Sequence, residues 1–150
     1  MADIVTPEQR RRNMQHIKGK DTAPELFVRK LLYHEGYRYR LYTKEIPGHP
    51  DIWLKKYNIA IFIHGCFWHR HNGCKYAYTP KTRVDFWTNK FKKNVERDKR
   101  IKERLTETGV RTIVIWECTV RRIEKSFVDK ELFLKRIRIF INNHEQSLEI

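Results

Sequence analysis

A short apolar segment that runs directly into a loop rich in histidine and cysteine is the feature that most constrains this sequence. Residues 59–63 read Ile-Ala-Ile-Phe-Ile, a run typical of a buried β-strand. Residues 63–74 then contain three histidines, two cysteines and the adjacent pair Phe67-Trp68. Metal ligands, proton-transfer groups and stacking rings therefore meet at one strand end, which indicates a functional site.

The net charge indicates the class of partner. The chain has 32 Lys and Arg residues against 18 acidic ones, a net charge of +14, and its pI is about 9.9. Nucleic acid is the expected partner, because cationic side chains that contact phosphates release counterions and supply much of the affinity. A basic surface that only keeps the protein soluble is the alternative.

Length and composition predict a single domain of 150 residues. The first residues show no signal-peptide pattern, and no segment approaches the ~20 apolar residues of a membrane span. We therefore expect no membrane contact and a cytoplasmic protein, associated with the nucleoid if the chain is bacterial. In a reducing compartment, three cysteines favour metal-bound thiolates over disulfides.

After an N-terminal helix, the periodicity of apolar residues and the turn signals predict the element order αβββαβα and a three-layer α/β domain. The predicted helices are about 6–18, 22–36, 82–108 and 130–142, and the predicted strands are 37–42, 51–54, 59–63 and 110–116. Residues 1–20 are predicted to form a basic arm that orders on DNA, with a frayed terminus as the alternative. Residues 21–150 would form the remaining domain.

Three cysteines and one histidine are candidate zinc ligands: Cys66, His71, Cys74 and Cys118. Three thiolates and one imidazole suit a closed, tetrahedral, structural zinc site. His71 is preferred over the neighbouring histidines because that choice leaves His69 free for proton transfer. Unpaired core cysteines are the alternative.

Asp51 and His64 are candidates for phosphodiester hydrolysis. Asp51 begins one predicted strand and His64 ends the next, so the two side chains converge if these strands pair as antiparallel neighbours. Asp51 would bind Mg²⁺, which proteins hold through one or two carboxylates. A turn aspartate that caps the local backbone is the alternative reading.

His69 is the candidate general base, since an imidazole can accept a proton from water at neutral pH. Asp98 lies on the apolar stripe of the long helix and needs a partner there, either His69 or an arginine. Glu25 could hold a metal-bound water, but with Thr22 it also fits a helix capping box.

Aromatic side chains on two elements suit insertion between DNA base pairs. Phe67 and Trp68 lie in the loop and Trp87 at the start of the long helix, whereas Phe86 and Phe91 are expected in the core. Core packing is the alternative for the other rings as well. Phosphate or base contacts are expected from the basic helix, from residues that include Lys90, Lys93 and Asn94.

These motifs resemble those of the very-short-patch-repair (Vsr) mismatch endonucleases over nearly the whole chain. The matching segments are Asn13-Met14, Pro47-Gly48-x-Pro50-Asp51, Phe62-x-His64-Gly65-Cys66-Phe67-Trp68-His69, residues 93–98 and Trp116-Glu117-Cys118. The resemblance implies a restriction-endonuclease-like fold with a central mixed sheet flanked by helices, a basic N-terminal arm and a zinc-bound loop. It also implies Mg²⁺-dependent nicking of one strand on the 5′ side of the thymine in a T:G mismatch.

The resemblance also implies roles for individual residues. The metal-binding aspartate falls on Asp51, with a ligating backbone carbonyl at Ile63, where the family has Thr. The catalytic histidine falls on His69, its acidic partner on Asp98, and accessory polar residues on Glu25 and His64. The remaining correspondences are zinc ligands at Cys66, His71, Cys74 and Cys118, intercalating rings at Phe67, Trp68 and Trp87, and Met14 in an N-terminal helix that grips the opposite groove.

The expected substrate is thus double-stranded DNA with a T:G mismatch, which arises when 5-methylcytosine deaminates. A monomer is expected because a single nick is asymmetric, and downstream repair proteins are possible partners. Two other functions stay open at this point. One is a zinc-stabilised DNA-binding module without catalysis, and the other is a restriction endonuclease that cuts matched DNA.

Overall fold

The computed structural model describes residues 6–15 and 19–150, without the side chain of residue 14. Within these ranges, the helices are α1 (Pro7–Gln15), α2 (Ala23–His34), α3 (Val84–Glu107), α4 (Glu117–Lys125) and α5 (Phe127–Ile141). The strands are β1 (Ile52–Leu54), β2 (Ile59–His64), β3 (Arg111–Trp116) and β4 (Ser147–Glu149). None of the described helices is long and apolar enough to cross a membrane.

The four strands form one mixed sheet in the order β1-β2-β3-β4. β1 pairs with β2 in the antiparallel sense, as the site prediction required, and a 3₁₀ turn joins the two strands. β3 runs parallel to β2 and to β4. The β2–β3 crossover contains α3, because parallel neighbours need a long connection between them.

Helices cover both faces of the sheet, as predicted for a three-layer domain. On one face, alternate strand residues such as Ile61 and Ile113 pack with α2, α4 and α5. On the other face, Ala60 and Phe62 pack with Leu105 of α3. The alternation follows from the two-residue period of a strand, so the residues that face α3 also point toward the candidate site.

The predicted helix starts at Thr6 and Thr22 are confirmed. The Thr6 hydroxyl accepts a hydrogen bond from the N–H of Gln9, and the Gln9 side chain accepts one from the N–H of Thr6, which completes a capping box. The Thr22 hydroxyl accepts from the N–H of Glu25 in the same way. The predicted end of α1 near residue 18 lies outside the described residues.

The strand predicted at residues 37–42 is wrong. The segment makes one isolated bridge, between Arg40 and Trp53, and does not join the sheet as a strand. The alternation of its sequence does match the burial of its side chains, because Tyr37 and Tyr39 pack on the core while Arg38 is exposed. The left-handed backbone at Tyr42 (φ +53°) turns the chain away before further pairs can form.

Two short elements in the C-terminal part of the chain were missed. Helix α4 begins directly after β3, and β4 is only three residues long. Arg111 connects β3 to this region, since its guanidinium donates to the carbonyls of Phe140, Ile141 and Glu145. Two of these bonds reach the last two residues of α5, so Arg111 ties β3 to the end of this helix.

Replacing the fully buried Ile113 by Ala tests the central position of β3. The cavity should lower the free energy of unfolding by about 2–5 kcal/mol. Ile139→Ala on α5 is the matched control, because Ile139 is 54% exposed, and it should change stability by less than about 0.5 kcal/mol. Chemical denaturation measures both, and equal losses would contradict the described core.

Candidate active site and metal centre

An open cleft of about 1170 Å³ lies between the first turn of α2, the ends of β2 and β3, and α3. Most of the residues predicted to carry out chemistry line it. They are Glu25, Asp51, Ile63, His64, Trp68, His69, Lys90, Asn94 and Asp98. The cleft therefore brings together positions that span 74 residues of sequence, from 25 to 98.

Asp51 lies at the start of β1 and faces the end of β2. Its Oδ2 accepts a hydrogen bond of 2.7 Å from the N–H of Ile63, a contact that the antiparallel pairing of these strands makes possible. Burial raises the pKa of Asp51 to about 6, and the charge of Glu25 adds to this effect. The carboxylate would gain from a cation, because a buried anion without one is unfavourable.

His69 and Asp98 form a close pair in the cleft. His69 Nδ1 lies 2.6 Å from Asp98 Oδ2, so the partner of Asp98 is an imidazole and not an arginine. If Nδ1 carries the proton in this bond, Nε2 is left with a lone pair that can accept a proton. The structure therefore gives His69 the arrangement of an oriented general base.

His64 stacks face to face on His69, with ring centroids 3.8 Å apart and planes 6° apart. Burial lowers the pKa of His64 to about 3, and the neighbouring His69 lowers it further. His64 is therefore neutral at physiological pH and packs on His69 as an uncharged ring. The donor atoms of His64, His69 and Asp98 all lie within 4.8 Å of one another.

Glu25 is buried in the first turn of α2. Its Oε2 accepts from the N–H of Asp21 at 3.0 Å and from Nη2 of Arg29 at 3.2 Å. The predicted capping box is thus altered, since the Glu25 carboxylate bonds the residue before Thr22. Glu25 also faces the same cleft as Asp51.

Four side chains converge in a second cluster beside the cleft: Cys66, His71, Cys74 and Cys118. One donor atom from each lies within 4.8 Å of all the others. Nδ1 of His71 is 3.6 Å from Sγ of Cys66 and 3.4 Å from Sγ of Cys118. Three thiols and one imidazole at this spacing can hold a metal ion, and the set fits the closed coordination preferred by structural zinc.

Trp116 at the end of β3 lies between the two clusters. Its ring stacks on His71, with centroids 4.2 Å and planes 6° apart, and meets His64 edge-on at 5.4 Å. Its indole N–H donates to Oε1 of Glu149 in β4 at 2.7 Å. Trp116 therefore connects the Cys/His cluster to the histidine pair through direct ring contacts.

The predicted aromatic residues form one cluster between the loop and α3. The ring centroid of Phe67 lies 5.1 Å from that of Trp68 and 5.4 Å from that of Trp87. The centroids of Trp68 and Trp87 are 5.9 Å apart. Phe91 is buried, as expected. Phe86 was expected in the core but is 45% exposed, because its position at the start of α3 lies beyond the sheet.

The residues of α3 that were predicted to contact DNA lie in two different places. Lys90 and Asn94 line the cleft beside Trp68, and the Asn94 side-chain amide donates to the Trp68 carbonyl at 3.1 Å. Lys93 is exposed and lies outside the cleft lining. In α1, the side chain of Met14 lies outside the described residues, and Arg10 Nη1 donates to the Thr82 hydroxyl ahead of α3 at 3.4 Å.

Sequence reasoning missed the two arginines that hold this site in place. The Arg70 guanidinium donates to three backbone carbonyls of the segment between β2 and α3, those of Phe67, Ala77 and Tyr78. Arg29 bonds Glu25 from one turn later in α2, and this four-residue spacing between opposite charges is a signal that the sequence does contain. The contacts of Arg70 carry no comparable signal.

Two kinds of comparison with known proteins agree on one family. The sequence model described as "DNA mismatch endonuclease Vsr" matches residues 2–75. The chain is 39% identical to the DNA mismatch endonuclease Vsr of Escherichia coli (strain K12) over 100% of its own length and 94% of that protein. It is also 45% identical to the type II nicking enzyme V.XorIIP of Xanthomonas oryzae, over 79% of this chain and 86% of the relative. The chain therefore belongs to the Vsr family of DNA mismatch endonucleases.

Proposed function

We propose that this DNA mismatch endonuclease nicks one strand on the 5′ side of the thymine in T:G mismatches and so initiates very short patch repair. The observation that carries the proposal is the His69–Asp98 pair, 2.6 Å apart and in one cleft with Asp51. Full-length similarity to the Vsr protein of Escherichia coli supports the same substrate. The layered mixed sheet is consistent with a restriction-endonuclease-like fold.

Asp51 is the proposed Mg²⁺ ligand, together with the backbone carbonyl of Ile63. The two residues already face each other through the bond from Ile63 N–H to Asp51. The raised pKa of Asp51 supports this role, because a bound cation would favour the ionised carboxylate. When bound, Mg²⁺ would polarise the scissile phosphate and stabilise the leaving oxygen.

His69 is the proposed general base. Asp98 would hold the ring through Nδ1, and Nε2 would accept the proton of the attacking water. His64 supports the ring by stacking on it and stays neutral, so it does not compete for that proton. Glu25 is proposed to hold water beside Asp51, in addition to its role at the start of α2.

The aromatic cluster is proposed to enter the DNA stack. Phe67, Trp68 and Trp87 lie together next to the cleft, and inserted rings can distort a duplex at a weakened base pair. Lys90, Lys93 and Asn94 would contact phosphates or base edges. Residues 1–20 would act as a DNA-binding arm that includes Met14, and residues 21–150 as the endonuclease domain.

The Cys/His cluster is proposed to bind structural Zn²⁺. The four donors come from one loop and from the first turn of α4, so the ion would pin the loop that carries Phe67, Trp68 and His69. A monomer is proposed because one catalytic cleft per chain suits a single nick. Proteins that act downstream in repair are the expected partners after nicking.

Nicking should require the mismatch and both catalytic groups. We expect cleavage of the thymine strand in a T:G duplex but not in the matched T:A duplex. Asp51→Ala and His69→Ala should each lower the single-turnover rate by at least about 100-fold. His144→Ala is the matched control, since His144 is exposed and lies before β4, away from the cleft residues.

A gel assay of the two duplexes with Mg²⁺ measures these rates. Tight binding without cleavage of either duplex would favour a DNA-binding module without catalysis. Equal cleavage of both duplexes would favour a restriction endonuclease for matched DNA. Either result would contradict the proposal.

The zinc assignment predicts different effects of substituting His69 and His71, which are two residues apart in the loop. The parent protein should contain about one zinc per chain, as a closed four-ligand site holds a single ion. His71→Ala should lose the zinc and lower the unfolding midpoint, whereas His69→Ala should keep the zinc and lose nicking. Elemental analysis and thermal unfolding measure this difference. A zinc-free parent protein with an intact fold would contradict the assignment.

Stacking and charge should contribute differently to DNA binding. Trp68→Ala should weaken binding of the T:G duplex by about 1–3 kcal/mol, the usual contribution of one stacked base. It should leave the salt dependence unchanged, whereas Lys90→Ala should reduce the slope of log K against log salt by about 0.9. Fluorescence anisotropy at several salt concentrations measures both. An unchanged affinity in Trp68→Ala would remove this ring from the interface.

A further inference from the structure

Arg29 is a buried cation at the centre of a hydrogen-bonded group beside the cleft. Only 8% of its side chain is exposed. Nη1 donates to Oδ1 of Asp21 at 2.7 Å, and Nη2 donates to Oε2 of Glu25 at 3.2 Å and to the hydroxyl of Tyr42 at 2.9 Å. The Tyr42 hydroxyl in turn donates to Oδ1 of Asp21. We call these four residues the Arg29 cluster.

Two members of the Arg29 cluster have a backbone that L-residues rarely adopt. Asp21 has φ +54° and Tyr42 has φ +53°, in the left-handed region that side chains disfavour. Asp21 lies between α1 and α2, and Tyr42 lies in the segment between α2 and β1. Such backbone persists where the surroundings hold it, and both side chains here are held by the same guanidinium.

The cluster fixes one oxygen of Glu25. Oε2 accepts from the N–H of Asp21 and from Arg29, and the contacts of the described residues leave Oε1 available to a water molecule. Arg29 also supplies a positive charge next to two acidic groups of the cleft, Glu25 and Asp51. Without it, the buried Glu25 and the half-buried Asp51 carboxylates would lose a compensating charge.

We propose that Arg29 is a positioning residue of the nicking reaction, which holds the Glu25 carboxylate beside Asp51 and ties the α1–α2 connection to the catalytic cleft. This inference rests on the proposed function, because the orientation of Glu25 matters only if the cleft cleaves DNA. These bonds require the two Nη groups of a planar guanidinium, because Asp21, Glu25 and Tyr42 are bound at once.

Arg29→Lys is the first test, because it keeps the charge but replaces the fork by one nitrogen. The single-turnover nicking rate on the T:G duplex should fall by at least about tenfold, as expected when a group in a reacting site is misplaced by a fraction of an ångström to 1 Å. The affinity for the same duplex without Mg²⁺ should not change, because Arg29 is buried and does not contact DNA. Nicking at the parent rate would overturn the proposal.

Two tyrosines provide a matched pair for the second test. Tyr42 donates and accepts within the Arg29 cluster, whereas the hydroxyl of Tyr39 donates to the backbone carbonyl of Arg29 at 3.1 Å. Tyr42→Phe and Tyr39→Phe each remove one hydroxyl from the same segment. Both should lower the unfolding midpoint to a similar extent, but only Tyr42→Phe should slow nicking.

Tyr42→Phe and Tyr39→Phe test the positioning role even if Arg29→Lys fails to fold. Equal rate losses in the two tyrosine variants would show that Arg29 acts only through stability, and would overturn a positioning role. Failure of the parent protein to nick any T:G duplex would be seen before the variants are compared. That result would overturn the proposed function and this inference with it.

Discussion

The parallel pairing of β2 with β3 is the interaction on which both clusters of the site depend. Its register sets His64 opposite Trp116, so the two strands end at the same level. The chain that leaves β2 carries Cys66, and the chain that leaves β3 carries Cys118, whose N–H donates to the Cys66 sulfur at 3.4 Å. A shift by one residue would turn every side chain of a strand to the other face of the sheet. Such a shift would disrupt both the Cys/His cluster and the histidine pair.

A continuous set of ring contacts joins the two clusters. His69 stacks on His64, His64 meets the edge of Trp116, and Trp116 stacks on His71. Close-packed rings of this kind transmit displacement, because a dense interior leaves little free space. The Glu149 carboxylate accepts a hydrogen bond from the Trp116 indole, so the short strand β4 also contributes to the position of the stacked histidines. The Cys/His cluster, the two histidines and the last strand are therefore joined by direct contacts through Trp116.

The sequence predicted what depends on strong local patterns. The strand at 59–63, the long basic helix and the convergence of Asp51 with the end of β2 followed from apolar runs and strand order. Residues 37–42 were misassigned because alternation reports which side chains are buried, but not whether the backbone finds a pairing partner. Arg29 and Tyr42 were missed for a related reason. The Glu25–Arg29 spacing is visible in the sequence. The contacts among Arg29, Asp21 and Tyr42, however, depend on left-handed backbone at Asp21 and Tyr42, and no pattern in this sequence indicates that backbone.

The cleft contains charges of both signs. The +14 net charge favours phosphate binding in general, and the α3 side of the cleft presents cations such as Lys90 and Lys102. The same cleft also contains three acidic residues, Glu25 of α2, Asp51 ahead of β1 and Asp98 of α3. Burial raises the pKa of Asp51, and the charge of Glu25 adds to this effect, while the charges of His69 and Arg29 oppose it. Ionised carboxylates repel an approaching phosphodiester, and a divalent cation at Asp51 would offset this repulsion. The proposed metal and the DNA should therefore each favour the binding of the other.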